Sequence, residues 1–155
     1  MTQELRVNRN LDILIVDKDP DYFEVLKIAF RRNQINNPLH AVHDGQQAID
    51  YLCAAGAFAD RALHPFPSVI FTEIRLPRLS GFEILKWLRQ HPQCSVIPVI
   101  VLSASDIEDD IHRAYSMGVN SYIIKPETLD QLQSIIRITF DYWAICAKPR
   151  VPDHC

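Results

Sequence analysis

Apolar residues along this chain fall into short unbroken runs and longer spaced stripes, and the two patterns alternate. From Leu11 to Val16 all but one position is apolar. A run of that length without two-residue alternation predicts a parallel strand buried on both faces. Asp19 followed by Pro20 predicts a helix start, with a capping side chain and a proline in the first turn. Tyr22, Val25, Leu26 and Ala29 then share one face of a helix that runs to about Arg32. Pro38 opens a short second strand through Val42, Asp44-Gly45 breaks it, and 46–55 reads as a second helix before a loop over 56–67. Ser68 to Thr72 is a third strand. Ser80-Gly81 starts a third helix and His91-Pro92 stops it. Pro98 to Leu102 is a fourth strand. Ser105 with Glu108 fits a capping box for a fourth helix, which Gly118 ends. Ser121 to Ile124 is a fifth strand. Thr128 with Gln131 fits another capping box, and the last helix runs to about Ala147, where Lys148-Pro149 ends it.

Five strands alternating with five helices predict an α/β fold: a doubly wound parallel sheet covered on both faces, with an extended last helix. Such sheets place their sites at the carboxyl ends of the strands. The first, third, fourth and fifth strands end at Asp17-Lys18, Glu73, Ser103 and Lys125. These polar residues are therefore expected along one edge of the sheet, far apart though they are in sequence.

Composition narrows the classes. A chain of 155 residues with 48% hydrophobic and 23% charged residues suits one soluble domain over 1–155, with a core over about 11–147 and tails at 1–10 and 148–155. A net charge of −3 and the lack of an appended helix-turn-helix argue against nucleic acid as partner. The polar opening segment is no signal peptide, and no apolar run reaches membrane-spanning length, so a cytoplasmic protein is expected. Cys53, Cys94, Cys146 and Cys155 form no C-x-x-C pair, which predicts reduced thiols rather than a zinc or redox motif. His40 and His43 are spaced too far apart on a strand to share a face, so no metal role is expected of them.

The segments ILIVDKDPD, VHDGQQAIDYL, PSVIFTEIRLPRLSGFEIL, IPVIVLSAS and NSYIIKP, in that order over about Leu11 to Phe140, resemble the receiver domain of two-component response regulators. This is the flavodoxin-like fold of the chemotaxis regulator. VNSYIIKP and the continuation ITFDYWAICAKP are similar to the phytochrome-associated single-domain subtype. The resemblance implies two acidic residues after the first strand that help hold magnesium. It implies an aspartate after the third strand that takes the phosphoryl group, with a Ser or Thr and a Lys that contact the phosphate. It also implies an aromatic residue on the fifth strand that reorients on activation. Asp17, Ser103, Lys125 and Tyr122 match those positions. The second acid is Lys18, the phosphoacceptor position holds Glu73, and no aspartate occurs between Asp60 and Asp106. Lys125-Pro126 resembles the family's cis-proline turn.

Both departures strike the chemistry. A pocket of this family sets three carboxylates against one lysine, and a divalent cation brings that sum to zero. Here Asp17 and Glu73 oppose Lys18 and Lys125, so the sum is zero without a metal. The expectation is a Lys18 ammonium near the metal position, paired with Glu73, Asp17 or both, and magnesium binding that is weak or absent, since an ammonium repels a hard cation. Glu73 carries its carboxylate one methylene further out, and a misplacement of ~1 Å costs on the order of a hundredfold in rate. The implied function is an atypical response regulator without an output domain, not an enzyme, that acts through protein contacts independently of phosphorylation. Its implied partner is a sensor histidine kinase of phytochrome type. One alternative keeps Glu73 as a poor phosphoacceptor. Another reads Asp17-Lys18-Asp19 as the opening of a haloacid dehalogenase-like phosphatase, against which stand Pro20 and the absence of a later acidic pair.

On the last helix, Leu129, Leu132, Ile135, Ile136, Thr139, Phe140 and Trp143 recur at helical spacing and are expected to face the sheet. Ile138, Tyr142 and Ile145 lie off that stripe. The resemblance implies a homodimer through the fourth helix, fifth strand and fifth helix, and these three residues are its expected face. The alternative is that the last turns fold back onto their own domain. Arg75 is expected at the pocket rim.

Overall fold

The computed structural model describes residues 4–150 and 154–155. Its elements follow the predicted order: β1 (Ile13–Val16), α1 (Pro20–Arg32), β2 (Leu39–Val42), α2 (Gly45–Leu52), β3 (Val69–Thr72), α3 (Gly81–Arg89), β4 (Val99–Ser103), α4 (Glu108–Ser116), β5 (Ser121–Ile124) and α5 (Leu129–Ile145), with a single 3₁₀ turn at Gly56–Phe58. The strands form one parallel sheet in the order β2-β1-β3-β4-β5. This is the flavodoxin-like, doubly wound order.

Alternation along each strand sorts the core into two layers. Leu14, Val16, Ile70, Val99 and Val101 point to α2, α3 and α4, where they meet Leu52, Leu85, Leu88 and Ala114. Ile13, Ile15, Phe71, Ile100 and Leu102 point to α1 and α5, where they meet Leu26, Phe30, Leu132, Ile136 and Phe140. Both faces of the central strands are covered, which explains the unbroken apolar runs.

The caps account for most boundaries. Asp19 accepts from the Asp21 amide at the start of α1, and Asp44 accepts from the Gln47 amide at the start of α2. Ser80 with Glu83, and Thr128 with Gln131, form complete capping boxes on α3 and α5. Gly45 sits where a Cβ would fall 2.1 Å from the Leu79 carbonyl oxygen, so the β3–α3 loop closes directly onto the first turn of α2. Gly45→Ala is expected to push that loop away and to destabilise the fold by ~1–3 kcal/mol, measured as a lowered midpoint in urea unfolding.

Four expectations are corrected. The capping box at Ser105 does not form: α4 begins at Glu108 behind Ile107, which caps it with no side chain, and the Ser105 hydroxyl turns to Asp110 instead. The second helix ends at Leu52, because Ala54 takes a left-handed φ of 53°. The Lys125–Pro126 peptide is trans. Cys94 and Cys155 are joined in a disulfide, with Cα atoms 5.9 Å apart, while Cys53 and Cys146 are free. The two partners are 61 residues apart, a pairing that spacing rules cannot foresee.

The α5 helix buries Leu132, Ile136, Phe140 and Ala144. Residues 8 and 9 lie along its last turns: the Asn8 amide donates to the Ala144 carbonyl at 2.7 Å, and the Arg9 guanidinium pairs with Asp141 at 2.9 Å and covers the Phe140 ring. Ile138, Tyr142 and Ile145 remain on the outside, 64%, 57% and 45% exposed. The last turns therefore do not fold these three residues back onto the domain.

Candidate functional site

Because the strands are parallel and in register, their carboxyl ends bring Asp17, Glu73, Ser103 and Lys125 together. Strand pairing sets Val16 beside Thr72, Thr72 beside Val101, and Ser103 beside Ile124. The residues that end these strands or directly follow them therefore meet across the edge. Asp17 and Glu73 are each 4% exposed, and Ser103 is fully buried.

The centre is an ammonium between two carboxylates. Lys125 Nζ lies 2.7 Å from Asp17 Oδ2 and 3.0 Å from Glu73 Oε2. It also stands 4.1 Å from the centre of the Tyr22 ring, on the first turn of α1, which adds a cation–π contact. Every carboxylate oxygen of the pair accepts at least one hydrogen bond. Asp17 Oδ1 takes the Asp19 amide at 2.9 Å. Glu73 Oε1 takes the Ile74 amide at 2.7 Å and the Ser103 hydroxyl. Glu73 Oε2 takes the Ala104 amide at 3.2 Å as well as Lys125.

Burial pushes the Glu73 carboxyl up, but the Ser103 hydroxyl, the Ile74 amide and Lys125 outweigh it, so the group titrates below the ordinary glutamate range. Burial, with Asp17 and Glu73 nearby, pushes the Tyr22 phenol well above its usual range. The group is neutral, and its hydroxyl is buried without a hydrogen-bond partner among the described residues.

Lys18 does not do what the charge count assigned to it. It is exposed and makes no ion pair within the described residues; it lines an open cleft of about 480 Å³ with Ile74, Arg75, Leu76, Pro77 and Ser80. Lys125 takes the place between the two carboxylates. The reason is local: Asp17 is the last inward position of the β1 end, and the chain has already turned outward at residue 18 to enter the Asp19 cap of α1.

A second polar chain runs along the β4–α4 loop. Arg75 pairs with Asp110 Oδ2 at 2.7 Å, and the same oxygen accepts from the Ser105 hydroxyl at 2.6 Å. The Ser105 carbonyl accepts from the Tyr122 hydroxyl at 2.8 Å, and the Tyr122 ring packs half-buried against the α2–α4 layer. Arg75 is thus at the rim, as its position predicts, but tied to α4. Sequence reasoning missed Asp110, Ser105 and Tyr22. Tyr22 reads as an ordinary core position of α1, and nothing in a single sequence says that its ring lies under a lysine 103 residues away. Among the described residues, no group of three or more His, Cys, Asp and Glu side chains gathers as a metal cluster. No helix among them is long and apolar enough to cross a membrane.

Comparison with known proteins agrees with this fold. The model of the response regulator receiver domain matches residues 13–137. A curated relative, the "Probable methanogenesis regulatory protein FilR2" of Methanothrix harundinacea, is 31% identical over 84% of this chain and 82% of its own. Among solved structures, response regulator RPA3017 in red light signaling of R. palustris superposes with a TM-score of 0.83 at 33% identity, over 91% of this chain and 100% of that one. The phosphorylated cyanobacterial phytochrome response regulator RcpA superposes with a TM-score of 0.82 at 30% identity, over 91% and 99%. With a parallel sheet in receiver order, its polar edge built from Asp17, Glu73, Ser103 and Lys125, and these likenesses along most of its length, the chain belongs to the response regulator receiver family, among relatives that include the phytochrome response regulators.

Proposed function

We propose that this receiver works without phosphoryl transfer, as a protein-contact regulator whose pocket is held by its own charges. The observation that carries this reading is the Lys125 ammonium seated between Asp17 and Glu73, with all four carboxylate oxygens engaged by this chain's own donors. A divalent cation asks for several free oxygen ligands. Here it would have to displace the ammonium, the Asp19 amide or the Ala104 amide, and the second acid of the usual pair is the exposed Lys18. The residues present therefore do not fit a magnesium site.

Glu73 meets Ser103 and Lys125, the two side chains that the family uses to contact phosphate. Its carboxylate stands where phosphoryl oxygens would be held, and Tyr122 is already bonded inward to the Ser105 carbonyl. Both features support a fixed, activated-like arrangement, with fewer charges and acceptor oxygens than a phosphate supplies. The protein has no turnover of its own, acts in the cytoplasm, and binds a sensor histidine kinase of the phytochrome type. That partner class is supported by the likeness to RPA3017 and RcpA.

The test is direct. The unaltered protein is incubated with magnesium and a small phosphodonor, and separately with an active kinase, and its intact mass is recorded. No added phosphoryl mass and no heat of magnesium binding at millimolar concentration are expected. A stoichiometric acyl-phosphate, or magnesium uptake in the micromolar range, overturns the reading.

The same reading includes a homodimer through α4, β5 and α5, supported by the outward Ile138, Tyr142 and Ile145 on α5 and the outward Tyr115 and Ile124 beside them in the chain's order of elements. Ile138→Asp is expected to raise the dimer dissociation constant by roughly tenfold to a hundredfold, read by light scattering on a size-exclusion column.

A further inference from the structure

The pairing of Cys94 with Cys155 ties together parts of the fold that the sheet keeps apart. Cys94 is fully buried, in the turn between α3 and β4, where its amide donates to the His91 carbonyl and its carbonyl accepts from Ile97. It belongs to the layer of Leu52, Leu85 and Leu88. The Cys155 amide donates to the Leu52 carbonyl at the end of α2, at 3.0 Å. The α5 helix, which precedes Cys155, lies on the opposite face with α1. Between them, Lys148 donates to the Trp143 and Cys146 carbonyls and so closes the last turn of α5. Lys148 and Pro149 then line a small cavity with Ser68, Val96 and Pro98, beside the starts of β3 and β4. Lys148 and Pro149 thus lie at the amino-terminal edge of the sheet, opposite the charged pocket, and Cys155 lies against the end of α2 and the turn after α3.

From this placement we propose that Cys94 and Cys155 are a reversible thiol–disulfide switch that fastens Cys155 to the buried turn between α3 and β4 and so steadies the last turn of α5. Access is one-sided. Cys155 is only partly buried and lines a cavity of about 220 Å³ with Gln90, His91, Pro92 and Gln93, while Cys94 has no exposed surface. An incoming small thiolate such as glutathione therefore attacks the Cys155 sulfur. The Cys94–Cys155 bond breaks, Cys94 leaves as a thiolate and takes a proton. A second glutathione thiolate attacks the glutathione sulfur of the mixed disulfide, which releases Cys155 as a thiol and glutathione disulfide. The balance is one protein disulfide and two glutathione thiols to two protein thiols and one glutathione disulfide, and glutathione disulfide drives the reverse. Reversibility in the cell rests on the cytoplasmic setting proposed above, because a disulfide in a reducing compartment acts as a sensor rather than a permanent staple. Formation of the bridge does not rest on it.

The experiment equilibrates the whole chain with glutathione and glutathione disulfide over a range of ratios, followed by acid quench, alkylation and peptide mass mapping. Oxidised protein is expected to alkylate at Cys53 and Cys146 only and to yield a linked peptide pair holding Cys94 and Cys155. Reduced protein is expected to alkylate at all four cysteines, to melt on the order of 10 °C lower, and to exchange amide hydrogens at 143–147 at least about tenfold faster. Cys155→Ser should melt like the reduced protein at every ratio, and Cys146→Ser should keep the full response. Four alkylated thiols at every ratio, a bridge through Cys53 or Cys146 or between chains, or a redox response surviving in Cys155→Ser each overturn the proposal. None of these results depends on whether Glu73 accepts phosphate or a kinase binds, so the two readings fail separately.

Discussion

Lys125→Met is expected to lower the stability of the fold by ~3–5 kcal/mol at neutral pH, the largest single-residue loss anticipated here. The substitution keeps most of the side-chain length and its packing on Tyr22 but removes the charge. Asp17 and Glu73, each 4% exposed, would then face one another with no cation between them. Lys18 is exposed and makes no ion pair among the described residues, so it does not already supply the missing charge. The loss should depend on pH in a defined direction. Glu73 titrates below the ordinary glutamate range in the folded protein, so its contribution is fully present above the unfolded glutamate value of about 4.3 and is lost as pH falls through the folded value. In Lys125→Met its carboxyl is expected to rise instead, so the variant can relieve the strain by taking a proton. The gap between wild type and variant, measured by urea unfolding, should therefore be greatest near pH 7 and shrink toward pH 3. A gap that is constant across that range would show that packing, and not the ion network, carries the effect.

The second large effect is a gain. Glu73→Asp combined with Lys18→Asp is expected to create micromolar to millimolar magnesium binding and to speed phosphorylation by a small phosphodonor by at least about a hundredfold over the wild type. Shortening the side chain at position 73 withdraws the carboxylate from Ser103 and the Ala104 amide and leaves those donors to a phosphoryl group. An acid at position 18, at the mouth of the pocket beside Asp17, restores the second carboxylate that a hard cation asks for. The single variants should each do far less. Glu73→Asp alone still has an ammonium at position 18, and Lys18→Asp alone still has the Glu73 carboxylate filling the phosphoryl space. Magnesium titration by calorimetry and intact mass after phosphodonor treatment report the two parts separately. A double variant that binds no metal would mean that Lys125 holds Asp17 too tightly for any cation to enter.

How much of this was legible beforehand differs between backbone and side chains. The unbroken apolar run of β1, the capping residues Asp19, Asp44, Ser80 and Thr128, and the breaks at His91-Pro92 and Gly118 locate the elements, because each acts within a few residues of itself. The end of β4 at Ser103 and of β5 before Lys125 follow from the same run lengths. The failed capping box at Ser105 shows where local reasoning stops. The motif was present, but the Asp110 carboxylate inside α4 itself took the Ser105 hydroxyl, and the Tyr122 hydroxyl, from β5, donates to the Ser105 carbonyl and ties down the same loop.

The amino-acid sequence alone determined that five parallel strands would carry Asp17, Glu73, Ser103 and Lys125 to one edge, and that the acids of an ordinary phosphorylation pocket had been replaced at positions 18 and 73. Hydrophobic periodicity and the alternation of strands with helices suffice for the first, because each acts over short stretches of chain, whereas the second follows from the resemblance to receiver domains. Which ammonium pairs with the two carboxylates was decided only in three dimensions. Charge counting treats Lys18 and Lys125 alike, but the turn into α1 aims one outward while the end of β5 aims the other at both acids. The bridge between Cys94 and Cys155 was decided there too. It depends on where α5 leaves the sheet and on the meeting of two segments 61 residues apart, and no local pattern encodes that distance.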